Sequence, residues 1–360
     1  MADVMDKTGI ECRIDGQIGR VHLNRPKALN ALNLEMVQEM TKALLAWQTD
    51  PAVRAVVVTA EGDKAFCAGG DVLALAESSE GDNTYARTFF AEEYRLNHLT
   101  GTYPKPYVCL MDGVIMGGGC GISMHGMRRV VGENVKMAMP ETGIGLFPDV
   151  GGGHFLSRMP GQTGTWLALT GARLKTADVM ALGLMTHAVK SSSVSALAEV
   201  LAHTKLNRPL SDIDEILRGY ATVPAPSELE AHRAEIDQHF AFDTMEEIMA
   251  SLQGGSEWAH KQAETLAKKS PTSLKITLAQ LRKAKHLNLA ECLRREYRMG
   301  WRVMQGHDFS EGVRALLVDK DNKARWKPDS LAGVSDEAVA AHFESLGENE
   351  LKLIGDEQNA

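Results

Sequence analysis

Apolar and polar positions change period several times along this chain, and each change marks an element. Residues 11–24 (ECRIDGQIGRVHLN) predict a short hairpin, with Asp15-Gly16 as the turn signal. From Leu34 to Trp47, the residues Val37, Met40, Leu44 and Trp47 fall three and four apart, which predicts a helix with one buried stripe. RAVVVTA (54–60) is an unbroken β-branched run, the pattern of a strand covered on both faces. It leads through FCAGGD (66–71) into another helical stretch. The same order then recurs. Residues 84–99 read as helix, YVCLM (107–111) as a second buried strand, and GGGCG (117–121) as the opening of a helix. VKMAM (135–139) reads as a third strand, running into Pro140-Glu141. Repeated strand, glycine-rich turn and helix predict an α/β fold with active groups on the turns. Beyond residue 205 strand signals vanish, and TMEEIMASL and SLKITLAQLRKA read as helices. Pro224 and Pro226 mark a loop or linker, and the last dozen residues are expected to fray.

Composition narrows the classes. The 360 residues are 44% hydrophobic and 24% charged, the balance of an ordinary globular protein with one large domain or two smaller ones. A net charge of −8 argues against a general nucleic-acid binder, although local lysines can still hold a small anion. The five cysteines (12, 67, 109, 120 and 292) are odd in number and show no C-x-x-C spacing, so a reducing compartment is expected. The N-terminal MADVMDKTGIEC has neither an apolar core segment nor the Arg-rich character of a transit peptide, and no run suits a membrane span. These points predict a cytoplasmic protein.

Glycine-rich turns first invite a phosphate-loop reading, but GGGCG is not followed by Gly-Lys-Ser/Thr, and no G-x-G-x-x-G follows a strand. Glycine at a helix start also bares backbone N–H groups. Gly118 and Gly119, with Gly70 in the matching turn, are therefore candidate donors to one carbonyl oxygen. Tight helix–strand packing is the alternative use of the same glycines. Ser123 lies in GISMHG, which is not a G-x-S-x-G elbow, and His125 reads as a helix residue. None of the twelve histidines forms H-E-x-x-H, and no metal-ligand cluster appears. Carboxylates remain. Glu141 follows a strand directly; Asp149 either caps a helix starting at Val150 or serves chemistry; Glu92 and Glu93 sit on a helix with Phe89, Phe90 and Tyr94, where a solvated face is the simpler reading.

At this point the motifs resemble a known family. NRPKALNAL (24–32), FCAGGD (66–71), MGGGCG (116–121) and PETGIGLFPDVGGG (140–153) are similar to the enoyl-CoA hydratase/isomerase (crotonase) superfamily. FFAEEYRLN (89–97), KPYVCLMDGVIMGGG (105–119), SPTSLKIT (270–277) and GHDFSEGVRALLVDKD (306–321) resemble its acyl-CoA hydrolase branch. RWKPDSL (325–331) and HFESLG (342–347) extend the likeness over nearly the whole chain. The resemblance implies an α/β spiral of repeated ββα units over residues 1–204, holding the CoA and catalytic site. It also implies a mainly helical region over 205–360 that completes the acyl-CoA site.

By motif position, the resemblance places the thioester oxygen between the amides of Gly70 and Gly118, and CoA along Ala28, Leu29, Ala68 and Asp71. Hydratases carry a first catalytic glutamate where this chain has Gly121, while the second is kept as Glu141 and Asp149 stands as in the hydrolases. The implied reaction is therefore thioester hydrolysis of a branched 3-hydroxyacyl-CoA from valine degradation. Glu141 acts as nucleophile or as general base, Asp149 orients it and moves a proton, and Glu93 joins Gly118 in the substrate site. Two carboxyls in a dry pocket should push one pKa up. No cofactor is implied beyond the CoA of the substrate, and no metal, nucleic acid or membrane. Family members often form trimers or pairs of trimers, so the resemblance allows a homo-oligomer, while the longer C-terminal region is the feature that could alter or cover that interface. Hydration or isomerisation on the same fold, and CoA binding without catalysis, are the alternatives.

Overall fold

The computed structural model describes residues 8–79 and 81–356. Residues 1–7, which carry most of the N-terminal stretch judged above by composition, and the last four residues lie outside it. Among the described residues, strands β1 (Ile10–Asp15), β2 (Ile18–Leu23), β3 (Ala55–Ala60), β4 (Ala65–Cys67), β5 (Tyr107–Met111), β6 (Val114–Met116), β7 (Arg128–Val131), β8 (Lys136–Ala138), β9 (His187–Val189) and β10 (Ala221–Thr222) form two sheets. One has seven strands in the order β1-β2-β3-β5-β7-β9-β10, and the other has three in the order β4-β6-β8. β1 and β2 form the expected antiparallel hairpin, with Gly16 at positive φ in its turn. From β2 to β9 neighbouring strands are parallel, and β10 closes the edge antiparallel. The repeat is visible in this alternation. β3, β5 and β7 each enter the large sheet, and the strand that follows each one enters the small sheet.

By compactness the chain divides into two units, each assembled from three stretches. The first runs to Gly70 and adds Arg95–Met137 and Leu174–Ser227, and the second takes Asp71–Tyr94, Ala138–Arg173 and the chain from Glu228 onward. This partition follows a different line from a sequential division at residue 204. The core of the first unit is the large sheet: Ala55, Val57, Val108, Leu110, Val130 and Val189 are buried against Leu197, Leu201, Ile213 and Leu217. The helix Leu34–Thr49 buries Val37, Met40, Leu44 and Trp47, as its spacing predicts, and Asn33 caps it by accepting from Met36 N–H. Each such side chain contributes roughly 1.5–3 kcal/mol when fully removed from water. The second unit is helical. Within it, Pro271–Ala284 packs on Gly152–Leu156 and on the wholly buried helix Thr163–Thr170, and Leu289–Val303 packs on Gly152–Leu156.

Four expectations need correction. The helix opened by GGGCG is a single turn, Gly118–Gly121, and His125 lies in the turn that follows, next to Gly126, a poor helix former. Strand structure does not end at 205, because Ala221–Thr222 adds the short β10. β7 went unpredicted since RRVV opens on two arginines. Arg128 is held by Asp214 and Arg129 by the carbonyls of Leu184 and Gly126, which makes charge compatible with a strand there. The C-terminal stretch does not fray up to residue 356: Leu351 and Leu353 are buried, and Glu350 and Asp356 pair with Arg298 and Arg294.

Candidate active site

In the first unit, β4 and β6 run parallel and end side by side, each feeding a glycine turn. A side chain at Gly69 would lie 3.5 Å from the Met116 carbonyl and 3.8 Å from the Gly118 nitrogen, so the turns bearing Gly70 and Gly118 adjoin. Gly118 is the first residue of its helical turn, where an N–H has no carbonyl of its own helix to bond. The close approach is enforced at Gly119, where any Cβ would collide with the Cys67 carbonyl. Gly121, also buried, ends that turn and offers no side chain.

Ala28, Leu29 and Ala68 come together in the same unit. Ala28 ends a short 3-10 turn, Pro26–Ala28, and Leu29 follows at φ 51° with its side chain partly exposed. Ala68 N–H donates to the Leu29 carbonyl at 3.0 Å. Buried Asn30, also at positive φ, ties this turn down by donating to the carbonyls of Glu61 (2.9 Å) and Ala65 (3.0 Å). Beside it lies a cleft of about 270 Å³ lined by Pro26, Lys27, Leu29, Asn30 and residues 61–65. Asp71 belongs to the second unit and accepts from Ala74 N–H at the start of the helix Val72–Ser79.

The second unit gathers the carboxylates. Glu93 lies on the helix Thr84–Gly101, Glu141 opens the 3-10 turn Glu141–Ile144 directly after β8, and Asp149 follows in the loop before Gly152–Leu156. All three are buried, at 2%, 5% and 4% exposure, so the solvated-face reading of Glu93 is wrong. The reading of Asp149 as a helix cap also fails. The helix starts at Gly152 with Gly151 as its cap, and Asp149 Oδ2 instead accepts from the Tyr94 hydroxyl at 2.8 Å. Glu93 Oε1 and Glu141 Oε2 are buried without a hydrogen-bond partner in the protein. A buried acceptor left unpaired costs about 1–3 kcal/mol, so these two oxygens are held in place by the fold rather than by their own bonds.

Burial, then the charge of Asp149, raises Glu141 well above the usual carboxylate range, against the pull of Lys269. Glu93 is raised well above its ordinary value by burial and by the charges of Asp149 and Glu141. Asp149 rises to about 6 through burial, held back by the Tyr94 hydroxyl and its own backbone. Tyr94 is itself raised by burial and so stays an O–H donor. Burial therefore disfavours the charged form of all three carboxyls, and Tyr94 partly offsets that cost at Asp149. The expectation that mutual repulsion drives a carboxyl upward agrees with these directions.

Sequence reasoning missed the groups around Asp149. Glu296, fully buried on the helix Leu289–Val303, accepts from Gly151 N–H (2.7 Å) and Gly153 N–H (2.9 Å). Gln280 donates from Nε2 to both Glu296 Oε1 (3.0 Å) and the Pro148 carbonyl (2.9 Å). Between these anchors Val150 sits at φ 53° and Gly151 at φ 81°. A β-branched residue in that region stores on the order of 1–3 kcal/mol. The sequence signal was present: Cys292, Leu293, Glu296, Tyr297, Gly300 and Val303 form one helical stripe, with an acid in the middle of it. Among the described residues, no group of three or more His, Cys, Asp or Glu is placed to hold a metal ion.

Residues 18–343 match the enoyl-CoA hydratase/isomerase family. The chain belongs to that family. Its α/β alternation of strands between two sheets, with a helical C-terminal region, is the crotonase fold. The crotonase-fold crystal structures it resembles include a carnitinyl-CoA dehydratase from Mycobacterium thermoresistibile. That match is 40% identical, covers 97% of this chain and 99% of the other, and has a TM-score of 0.90. An enoyl-CoA hydratase from Rhodobacter sphaeroides 2.4.1 matches at 38% identity, over 96% and 100% of the two chains, with a TM-score of 0.88. Curated relatives include the mitochondrial 3-hydroxyisobutyryl-CoA hydrolases of Danio rerio and Homo sapiens. These are 48% and 46% identical, covering 94% of this chain and 90% and 89% of the relatives. The mitochondrial label of these relatives does not support the cytoplasmic expectation. No helix among the described residues is long and apolar enough to cross a membrane.

Proposed function

We propose that this member of the family hydrolyses 3-hydroxyisobutyryl-CoA to 3-hydroxyisobutyrate and CoA, a thioester cleavage in valine degradation. The observation that carries the reading is the buried set Glu93, Glu141 and Asp149, two of whose oxygens have no protein partner, in a chain whose Gly121 cannot supply a hydratase's other glutamate. Relatives named for this hydrolysis, at 44–48% identity, agree with it.

The Gly70 and Gly118 N–H groups take the oxyanion that develops on the thioester oxygen, an interaction for which one donor typically supplies about 2.7–4 kcal/mol. Glu141 opens the reaction, either by attacking the thioester carbon to give a mixed anhydride or by deprotonating the attacking water. Collapse of the tetrahedral intermediate breaks the C–S bond. On the base route Asp149 relays to the leaving thiolate the proton that Glu141 took from water, and on the nucleophilic route water then hydrolyses the anhydride, freeing Glu141 and supplying that proton. Glu93, buried with Oε1 unpaired in the protein, binds the substrate's 3-hydroxyl. CoA lies along Ala28, Leu29, Ala68 and Asp71, and no further cofactor takes part. Single-turnover hydrolysis in heavy-oxygen water separates the two routes, since a nucleophilic Glu141 retains label in the protein.

The deciding assay follows CoA thiol release beside enoyl-thioester absorbance. Thiol release from 3-hydroxyisobutyryl-CoA supports the proposal, and hydration of an enoyl-CoA without thiol release overturns it. The second outcome is the rival favoured by the names of the two crystal structures above. A panel of acyl-CoAs ranked by kcat/KM tests the acyl preference. Five free thiols support a reducing compartment, which the cytoplasm and the mitochondrial matrix both provide; fractionation distinguishes them. The family resemblance supports a homo-oligomer, to be tested by sedimentation.

A further inference from the structure

Glu296 is a buried acid with no place in the chemistry just described, yet both its oxygens accept from the backbone that follows Asp149. Its two oxygens take the N–H groups of Gly151 and Gly153, and Gln280 braces Glu296 against the Pro148 carbonyl on the other side of Asp149. The gripped segment is a strained one. Val150 and Gly151 lie consecutively at positive φ, a conformation that a valine leaves when released. There is no slack in the grip, because a Cβ at Gly153 would come within 3.0 Å of both Gln280 Nε2 and Glu296 Oε1. Tyr94 then fixes the side chain that this backbone presents, at Oδ2 of Asp149.

We infer that Glu296, braced by Gln280, is a positioning residue for the hydrolysis: it clamps the strained Val150–Gly151 turn and so fixes where Asp149 stands. The inference rests on the catalytic role proposed for Asp149. Neither oxygen of Glu296 needs to touch substrate, and its action on the rate runs through residue 149.

The test is a double-mutant cycle on the full chain, measuring CoA release from 3-hydroxyisobutyryl-CoA. Glu296→Gln, which presents an NH2 to one of the two backbone donors, should lower kcat at least tenfold with KM changed less than threefold. Glu296→Asp, still acidic, should recover part of that loss. In an Asp149→Asn background the same Glu296→Gln change should cost less than twofold, because its target is already gone. A tenfold loss in both backgrounds, or kcat within twofold of the parent in the single variant, overturns the clamp. If Glu296→Gln does not fold, Gln280→Met replaces it in the same cycle, with a threefold or larger fall in kcat expected only when Asp149 is present. Asp149→Asn with parental activity removes the catalytic reading itself. An inactive Asp149→Asn beside a parental Glu296→Gln removes only the clamp.

Discussion

Around Arg314, one guanidinium holds Glu311 at both carboxylate oxygens (2.8 Å each) and reaches Asp319 and Asp321 as well. At residues 93, 141 and 149, three carboxyls instead lie buried, all raised chiefly by burial, with Asp149 adding to the rise of the other two. Glu311 falls to about 2, chiefly through the Arg314 bonds, while burial raises Asp149 to about 6 and raises Glu141 as well. The side chains are of the same chemical kind, and surroundings alone separate them. The first region favours the charged form of Glu311; the second disfavours the charged form of its carboxyls, the setting in which proton-transfer groups are tuned. What distinguishes the buried set is therefore its unmet bonding, seen at Glu93 Oε1 and Glu141 Oε2, rather than its membership of an acidic cluster.

The largest break in this comparison is expected from Glu141→Gln. If Glu141 starts the reaction, kcat for CoA release should fall by ~10³-fold, within the range for losing a positioned acid–base group. Glu311→Gln should leave kcat unchanged. Parental turnover in Glu141→Gln would sink the catalytic assignment.

Stability should move the opposite way. Asp149 has a folded-state pKa raised above its unfolded value of 3.8, so ionising it costs the folded state free energy. That cost is absent below about pH 4, grows as pH rises and is complete above about 6, where it reaches about 3 kcal/mol. Asp149→Asn, still able to accept from Tyr94, should therefore raise Tm at pH 7.5 and leave it unchanged at pH 4. An equal change at both pH values would show that charge is not the cause.

Much of this was legible in the sequence, for reasons that particular residues make plain. β3 and β5 are apolar on both faces, so AVVVTA and YVCLM declare themselves, and two acids in PETGIGLFPDVGGG stand out against glycine and apolar neighbours. Their proposed roles came from the family motifs. The supporting shell was not legible, because its bonds join distant positions: Tyr94 and Asp149 are 55 residues apart, and Gly151 and Glu296 are 145 apart. The burial of Glu93 was not legible from its helix, because helix position alone does not say which face another element covers, and its place in the site came from the family motifs. Arg128 and Arg129 hid β7 for the same reason, since their partners Asp214 and Leu184 come from other segments.

A smaller effect is expected at Tyr94. Its hydroxyl is the side-chain donor that holds Asp149 down at about 6, so Tyr94→Phe should move the acid limb of kcat/KM to higher pH. A bond from a hydroxyl to a charged acceptor contributes about 1.5–3 kcal/mol, which bounds the rate loss at roughly 10- to 100-fold. A Tyr94→Phe variant whose acid limb stays in place would show that the phenol packs against Phe90 and Tyr297 without tuning Asp149.

The smallest effect closes the comparison from the other side. Glu311 has a folded-state pKa depressed below its unfolded value, so its contribution is present above pH 4.5 and is lost as pH falls towards about 2. Glu311→Gln should thus lower Tm slightly at pH 7.5 and hardly at all at pH 2.5, the reverse of Asp149→Asn. The loss should also shrink in high salt, because Arg314 is a surface charge and such pairs are screened. Opposite signs for the two variants at neutral pH would show that one region uses its carboxyls to hold the fold while the other holds carboxyls that the fold must restrain. Equal signs would mean that burial of Asp149 carries no electrostatic cost, and the case for a poised site would fall with it.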